Sequence, residues 1–195
     1  MAFLSHPNND HYNGYFFITD RYKIDKFITV DSSIVSKTYK TLLNKISTKN
    51  IPLLYKVAGD RIKVEDGQFT IYWPPMNFIS PHDNDFSSVI LFNRGGSRPA
   101  LTFQVLFTGD ASPFVLSKLL HQSFGTINIL KVPHHGSKNG LTKGFLELVN
   151  PRVAVISVGK NNSYGHPTKK VLDLLKAQKI NIKRTDIEGD ILFNF

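Results

Sequence analysis

Cysteine is absent from the 195 residues. That excludes disulfides, thiolate metal sites and a cysteine nucleophile. Any metal would have to be held by histidine, aspartate, glutamate or asparagine. No apolar run approaches the roughly 18–20 residues of a membrane span. The opening MAFLSHPNND lacks the basic leader and apolar centre of a secretory signal. The expectation for this chain by itself is a cytoplasmic location. There is no repeat, no low-complexity segment, no linker and no lysine- and arginine-rich block of the kind that marks a nucleic-acid tail.

What is present is globular: 41% hydrophobic and 20% charged residues, enough to bury a core within one domain spanning 1–195. The net charge is +9. A basic surface suits anionic partners such as nucleic acid or phosphate esters. Because the lysines are spread out, they also read simply as a solvated face.

Four apolar runs end in polar clusters: VLFTGD (105–110), INILKVPHHGS (127–137), VAVISVGKNNSYGHP (153–167) and INIKRTDIEGDILFNF (180–195). Each is β-branched, bounded by turn residues and expected to be a buried strand. Helices are expected between them, at 112–122, where Ser112 and Pro113 make a helix start, at 141–150 and at 167–179. This alternation is an α/β signature. Earlier in the chain, 61–75 reads as a hairpin turning at Asp66-Gly67, and 87–110 as a second turning near Arg94-Gly95-Gly96. The fold class expected is α/β with mixed sheets.

Chemistry-bearing residues crowd at the ends of these strands, where ligands gather in layered α/β folds. Five of the seven histidines lie in SHPNNDH (5–11), PHHGS (133–137) and YGHP (164–167). His82 lies in another polar stretch, and His121 reads as an ordinary surface residue. In HPNNDH, His6, Asn8, Asp10 and His11 could point several ligands at a pair of metal ions, or form a solvated turn. Asp110 in TGD projects past a strand, or simply turns the chain. His166 could line a pocket or cap the following helix. The paired His134 and His135 before a glycine turn are harder to read as structural. Taken together, a His/Asp cluster, a strand-end Asp and strand-end His separated by long spans have the layout of a dinuclear metallohydrolase. Such sites hold two metals about 3.5–4 Å apart and act on phosphoryl groups.

The segments FLSHPNNDHYNG, AGDRIKVEDGQFTIYWPP, NDFSSVILF, VLFTGD, LKVPHHGSKNG, VISVGKNNSYGHP and KRTDIEGDILF resemble the metallo-β-lactamase domain of ComEC-type DNA-uptake (competence) proteins. The similarity runs from about Leu4 to the C-terminus. It implies an αββα metallo-β-lactamase sandwich with the site at the edge where both sheets open. It also implies two divalent ions, Zn²⁺ or Mn²⁺, with Mg²⁺ as a further choice. His6 would ligate the first, with Asn8 at the third signature position. Asp10 and His11 would ligate the second, Asp110 would bridge, and His135 would close the second site. His134 would touch the phosphoryl group. Asn84 or Asp85 falls where the wider superfamily has a further histidine. Asn161, His166 and Ser137 would line the substrate pocket, with His166 binding substrate or passing protons.

Three departures accompany the resemblance. Asn8 replaces the family's His or Asp and is a neutral ligand. The oxygen-rich remainder then favours Mn²⁺ or Mg²⁺ over Zn²⁺. Asn13-Gly14 stands where the family has a glycine pair. The family's opening strands, with an Asp-Val-Gly-Gln-Gly-Asp stretch, have no counterpart, so the sandwich is expected to lack its first strands and expose a sheet edge. A partner chain or second copy could cover that edge by strand addition. The function expected is a metal-dependent phosphodiesterase or nuclease acting on DNA in competence. Two alternatives stand beside it: a non-catalytic remnant that binds nucleic acid or a partner, and an esterase of small phosphodiesters or phosphocholine esters.

Overall fold

A computed structural model describes residues 1–95 and 102–193. Its larger sheet has seven strands in the order β10-β9-β8-β7-β6-β5-β4. Four are antiparallel: β4 (Arg61–Val64), β5 (Gly67–Trp73), β6 (Val89–Arg94) and β7 (Phe103–Phe107). From β7 onward the pairing is parallel, through β8 (Ile129–Lys131), β9 (Val153–Ile156) and β10 (Asn181–Arg184). A smaller parallel sheet joins β1 (Ala2–Phe3), β2 (Phe27–Thr29) and β3 (Leu53–Tyr55) in that order.

Alternation along the strands divides the larger sheet into two faces. Val89, Leu91, Leu106 and Leu130 point into a core shared with α4 (Pro113–Lys118), α5 (Lys143–Val149) and α6 (Lys169–Ala177). Fully burying one such side chain contributes about 1.5–3 kcal/mol. The opposite face carries Phe69, Phe92 and Ile90, and Phe69 packs at a tilt against Phe3 of the smaller sheet with ring centroids 4.9 Å apart. Behind the smaller sheet a second core joins Leu4 and Phe27 to Tyr12 of α1 (Asn9–Tyr12) and to Tyr39, Leu42 and Ile46 of α3 (Lys37–Thr48). Tyr15 and Phe16 of α2 (Tyr15–Arg21) pack at its margin. The layers are therefore helix, sheet, sheet, helix.

The helix starts follow capping chemistry. Ser112 accepts from the Val115 N–H with Pro113 in the first turn, Thr142 accepts from Phe145 N–H and Ser36 from Tyr39 N–H, each satisfying an otherwise orphaned donor. Several expected boundaries shift. Val64 pairs with Gly67, so the first hairpin turns at Glu65-Asp66 and not at Asp66-Gly67. Gly67 is instead part of β5, where a Cβ would meet the Asn93 carbonyl oxygen at 2.4 Å. The second hairpin pairs Arg94 with Phe103, but Gly96 at its expected turn lies outside the described residues. The last run is a strand only over Asn181–Arg184 and then turns into α7 (Thr185–Glu188). There Glu188 accepts from the Arg184 N–H at 3.0 Å and Lys183 Nζ at 2.7 Å, which folds the chain back. Among the described residues no helix is long and apolar enough to cross a membrane.

Candidate metal centre

Four loops meet where the two sheets open. The first leaves β1 and carries residues 5–12. The second is the 3-10 turn Asp83–Phe86 before β6. The third, Thr108–Asp110, leaves β7, and the fourth, Pro133–Gly136, leaves β8. Ligand atoms of Asp10, His11, Asp110 and His135 lie within 4.8 Å of one another. Asp110 Oδ2 is 3.2 Å from His11 Nε2 and 3.4 Å from His135 Nε2, and Asp10 Oδ2 is 3.7 Å from each of those nitrogens.

The backbone of PHHGS is unusual. His134 and His135 both have positive φ, 51° and 52°, and Gly136 follows at 79°. Positive φ is uncommon and costly for a residue with a side chain. Consecutive left-handed residues swing both imidazoles out of the strand direction toward Asp110. Gly136 must be glycine here, since a Cβ would meet Pro167 Cβ at 2.6 Å.

Hydrogen bonds orient each ring. His135 Nδ1 lies 2.6 Å from the Ser157 carbonyl, so Nδ1 carries the proton and Nε2 faces the cluster. Ser5 Oγ lies 3.0 Å from His6 Nδ1 and 3.3 Å from His11 Nδ1. A hydroxyl oxygen has two lone pairs and can accept from both rings. Both Nε2 atoms are then left unprotonated, as metal ligation requires. The buried Nε2 of His6 lacks a hydrogen-bond partner, and those of His11 and His135 face Asp110. A buried, unpaired polar atom is costly, and three buried imidazole nitrogens gathered with two carboxylates fit a divalent cation.

Electrostatics agree with the geometry. The carboxylates of Asp10 and Asp110 raise the His135 pKa to about 10. Burial acts against the charge of Asp110, yet His11, His135 and Lys131 together hold its carboxyl far below the usual carboxylate range. His135 beside Asp10 lowers that group too. His6 is fully buried, and its pKa falls to about 3. Burial also lowers His134 and His166.

Not every expected residue reaches the centre. Asn8, Asn84, His134 and His166 line its mouth with Asp10, around a cavity of about 310 Å³. Asn84 Nδ2 is 3.4 Å from His134 Nδ1. Asp85 is turned away: its carboxylate accepts from Ser80 Oγ at 2.6 Å and Ser112 Oγ at 2.5 Å, and its carbonyl from Trp73 Nε1. Of the pair Asn84 and Asp85, only Asn84 meets the centre, because the 3-10 turn points neighbouring side chains apart. Ser137 is buried behind the turn, accepting from the Asn139 N–H. Asn161 is exposed and does not line the cavity. Its neighbour Asn162 instead braces the loop, bonding the carbonyl and N–H of His166.

Three residues were not expected. Ser5 joins two rings. Tyr164 stacks on His166 with centroids 5.9 Å apart. Lys131 donates to the Gly109 carbonyl at 2.6 Å and lies 3.4 Å from Asp110 Oδ1. A sequence signal existed only for Lys131, the sole charge inside the apolar run INILKV.

No protein-family model matches the chain. It is similar to ComE operon protein 3 of Bacillus subtilis, 27% identical over 98% of this chain and 24% of that protein. It is also similar to Recombination protein 2 of Haemophilus influenzae, 30% identical over 98% of this chain and 22% of the relative, and to Competence protein ComA of Neisseria gonorrhoeae, 34% identical over 57% of this chain and 16% of the relative. The chain thus spans about a quarter or less of the length of these relatives. Among solved structures, CmlA, a diiron beta-hydroxylase from Streptomyces venezuelae, superposes with a TM-score of 0.64 at 12% identity, over 94% of this chain and 43% of that one. The metallo-beta-lactamase fold protein YhfI from Bacillus subtilis gives a TM-score of 0.50 at 9% identity, over 94% of this chain and 74% of that one.

Proposed function

We propose that this chain, which has the metallo-β-lactamase fold and is homologous to ComEC-type competence proteins, is a metal-dependent phosphodiesterase that cleaves DNA. The observation that carries the reading is the convergence of Asp10, His11, Asp110 and His135 beside the orphaned Nε2 of His6. In this reading Asp10, His11, Asp110 and His135 would hold one divalent ion. His6 would hold a second, with Asn8 at the mouth beside it. Three imidazole nitrogens stand with two carboxylates and an amide, a mixed set that suits Zn²⁺ and Mn²⁺ alike.

Bound ions of this kind lower the pKa of water toward neutrality and offset charge on phosphoryl oxygens. The chain's own residues supply position and proton handling. The carbonyl of Ser157 and the hydroxyl of Ser5 fix the ring orientations. His134 stands at the mouth, where Asn84 supports its Nδ1 side, and it can hold a phosphoryl oxygen through Nε2. His166, with Tyr164 on its face, is placed to pass a proton at the leaving oxygen. The homology with competence proteins and the +9 charge support DNA as the substrate.

The test is direct. Purified chain loaded with Mn²⁺ should carry about two ions by elemental analysis and cleave DNA, with Asp110→Ala losing cleavage. Undiminished cleavage by Asp110→Ala would falsify the site.

A further inference from the structure

A broad concavity lies beside the metal centre, not on it. It is a groove of about 1110 Å³ that shares Asn8, Asn84 and His134 with the mouth of the centre. Ligand pockets of about 300–1,000 Å³ hold one drug-sized molecule, so this groove has room for more than one nucleotide. Its walls differ from the polar mouth. Phe78 and Ile34 form an apolar floor, Ile79 stands 80% exposed, and Phe114 at the start of α4 is 46% exposed. Phe78 is wedged edge-on against Trp73 and Phe86, with centroids 4.8 and 5.3 Å away, so the floor is rigid.

Two further features suggest the occupant. Lys118 Nζ lies 5.2 Å from the Phe114 ring centroid, which puts a cation beside an exposed aromatic platform. Asp83, on the groove wall, sets a carboxylate among these apolar side chains. A carboxylate on the wall of a groove with an exposed aromatic face suits a ligand that is flat, apolar on its faces and a donor at its edge. A nucleobase has that description. Its Watson–Crick donors are free only when it is unpaired, and base–aromatic stacking is the usual source of sequence-tolerant single-strand affinity.

We propose that this groove seats unpaired nucleotides flanking the scissile phosphodiester, with Phe114 as stacking platform, Lys118 near the backbone and Asp83 accepting from a base edge, so that the protein takes single-stranded DNA. This inference rests on the phosphodiesterase reading, since the groove becomes a substrate subsite only if the phosphate lies at the metal centre.

The experiment is binding of a fluorescein-labelled 15-nucleotide single strand, and of its blunt duplex, to the full chain in EDTA, where no cleavage occurs. The single strand should bind at least about tenfold more tightly, and Phe114→Ala should weaken it by roughly tenfold. Phe114→Trp, which keeps a platform, should retain binding and so shows that the loss is not misfolding. Equal binding of duplex and single strand, or unchanged binding by Phe114→Ala, overturns the proposal. Hydrolysis of bis(4-nitrophenyl) phosphate, which has no base, by Mn²⁺-loaded wild type tests the phosphodiesterase reading separately.

Discussion

The ammonium of Lys131 lies 3.4 Å from Oδ1 of Asp110, a carboxylate that is only 3% exposed. The other oxygen of Asp110 faces His11 and His135. The lysine therefore compensates a buried negative charge from behind while the histidines meet it from the front. Removing one partner of a buried pair costs about 3–5 kcal/mol, because the survivor is left uncompensated. Lys131→Met should lose about that much stability to urea in EDTA. A divalent ion on Asp110 would take over the compensation, so the loss should shrink in saturating Mn²⁺. Equal losses in both conditions would mean that the ion does not meet Asp110.

Ser5 is a single hydroxyl between two imidazoles. Groups that orient ligand histidines from outside typically change metal affinity by about 10–100-fold when removed. Ser5→Ala should weaken Mn²⁺ binding within that range in a chelator competition, with little change in metal-free melting temperature. Ser5→Thr keeps the oxygen and should restore affinity. If Ser5→Ala binds Mn²⁺ like wild type, the serine does not set the rings.

His135 gives metal binding a pH dependence. Its pKa in the metal-free protein is raised to about 10 by Asp10 and Asp110, so at pH 7 the ring is an imidazolium that must lose a proton to ligate. The support that this cation lends the metal-free fold is full below the unfolded value near 6.5 and is lost as pH rises through 10. Metal affinity moves the opposite way, rising about tenfold per pH unit for one proton released. Chelator competition at pH 7, 8 and 9 reads the slope. A flat profile would remove the imidazolium from the account.

These relationships explain which parts of the site can be read from the sequence. His6, Asp10, His11, Asp110 and His135 stand out only together, as a His/Asp cluster, a strand-end Asp and strand-end His far apart in sequence, since most of these clusters taken alone also read as turns. The strands and helices from Val105 onward are legible as buried runs broken by Pro and Gly. Ser5 is not legible, since its role depends on the direction of two rings and not on its own chemistry. Asn84 and Asp85 could not be separated, because a 3-10 turn decides which neighbour faces inward. The small sheet is hidden too: its strands are only two or three residues long. Helix α3 is not among the helices expected from the sequence, although Tyr39, Leu42 and Ile46 recur at helical spacing.

His6 supplies a stability test that needs no metal. Its ring is fully buried and remains neutral, with a pKa lowered to about 3. In the unfolded chain it takes up a proton near pH 6.5. The unfolded state thus binds more protons between those values, and stability must fall as the pH drops through that window. Asp110 does not confuse the reading above pH 5, because a depressed carboxylate loses its contribution only below its ordinary value near 3.8. His134 and His166 shift in the same direction as His6, and His135 shifts the other way, so the comparison must be with a variant that lacks only the His6 titration. In EDTA, the stability of wild type relative to His6→Gln should decline by about 2 kcal/mol between pH 7 and pH 5. Urea midpoints at the two pH values measure it. A difference that stays constant would show that His6 gains a proton in the folded protein as readily as in the unfolded chain, and that water reaches its Nε2.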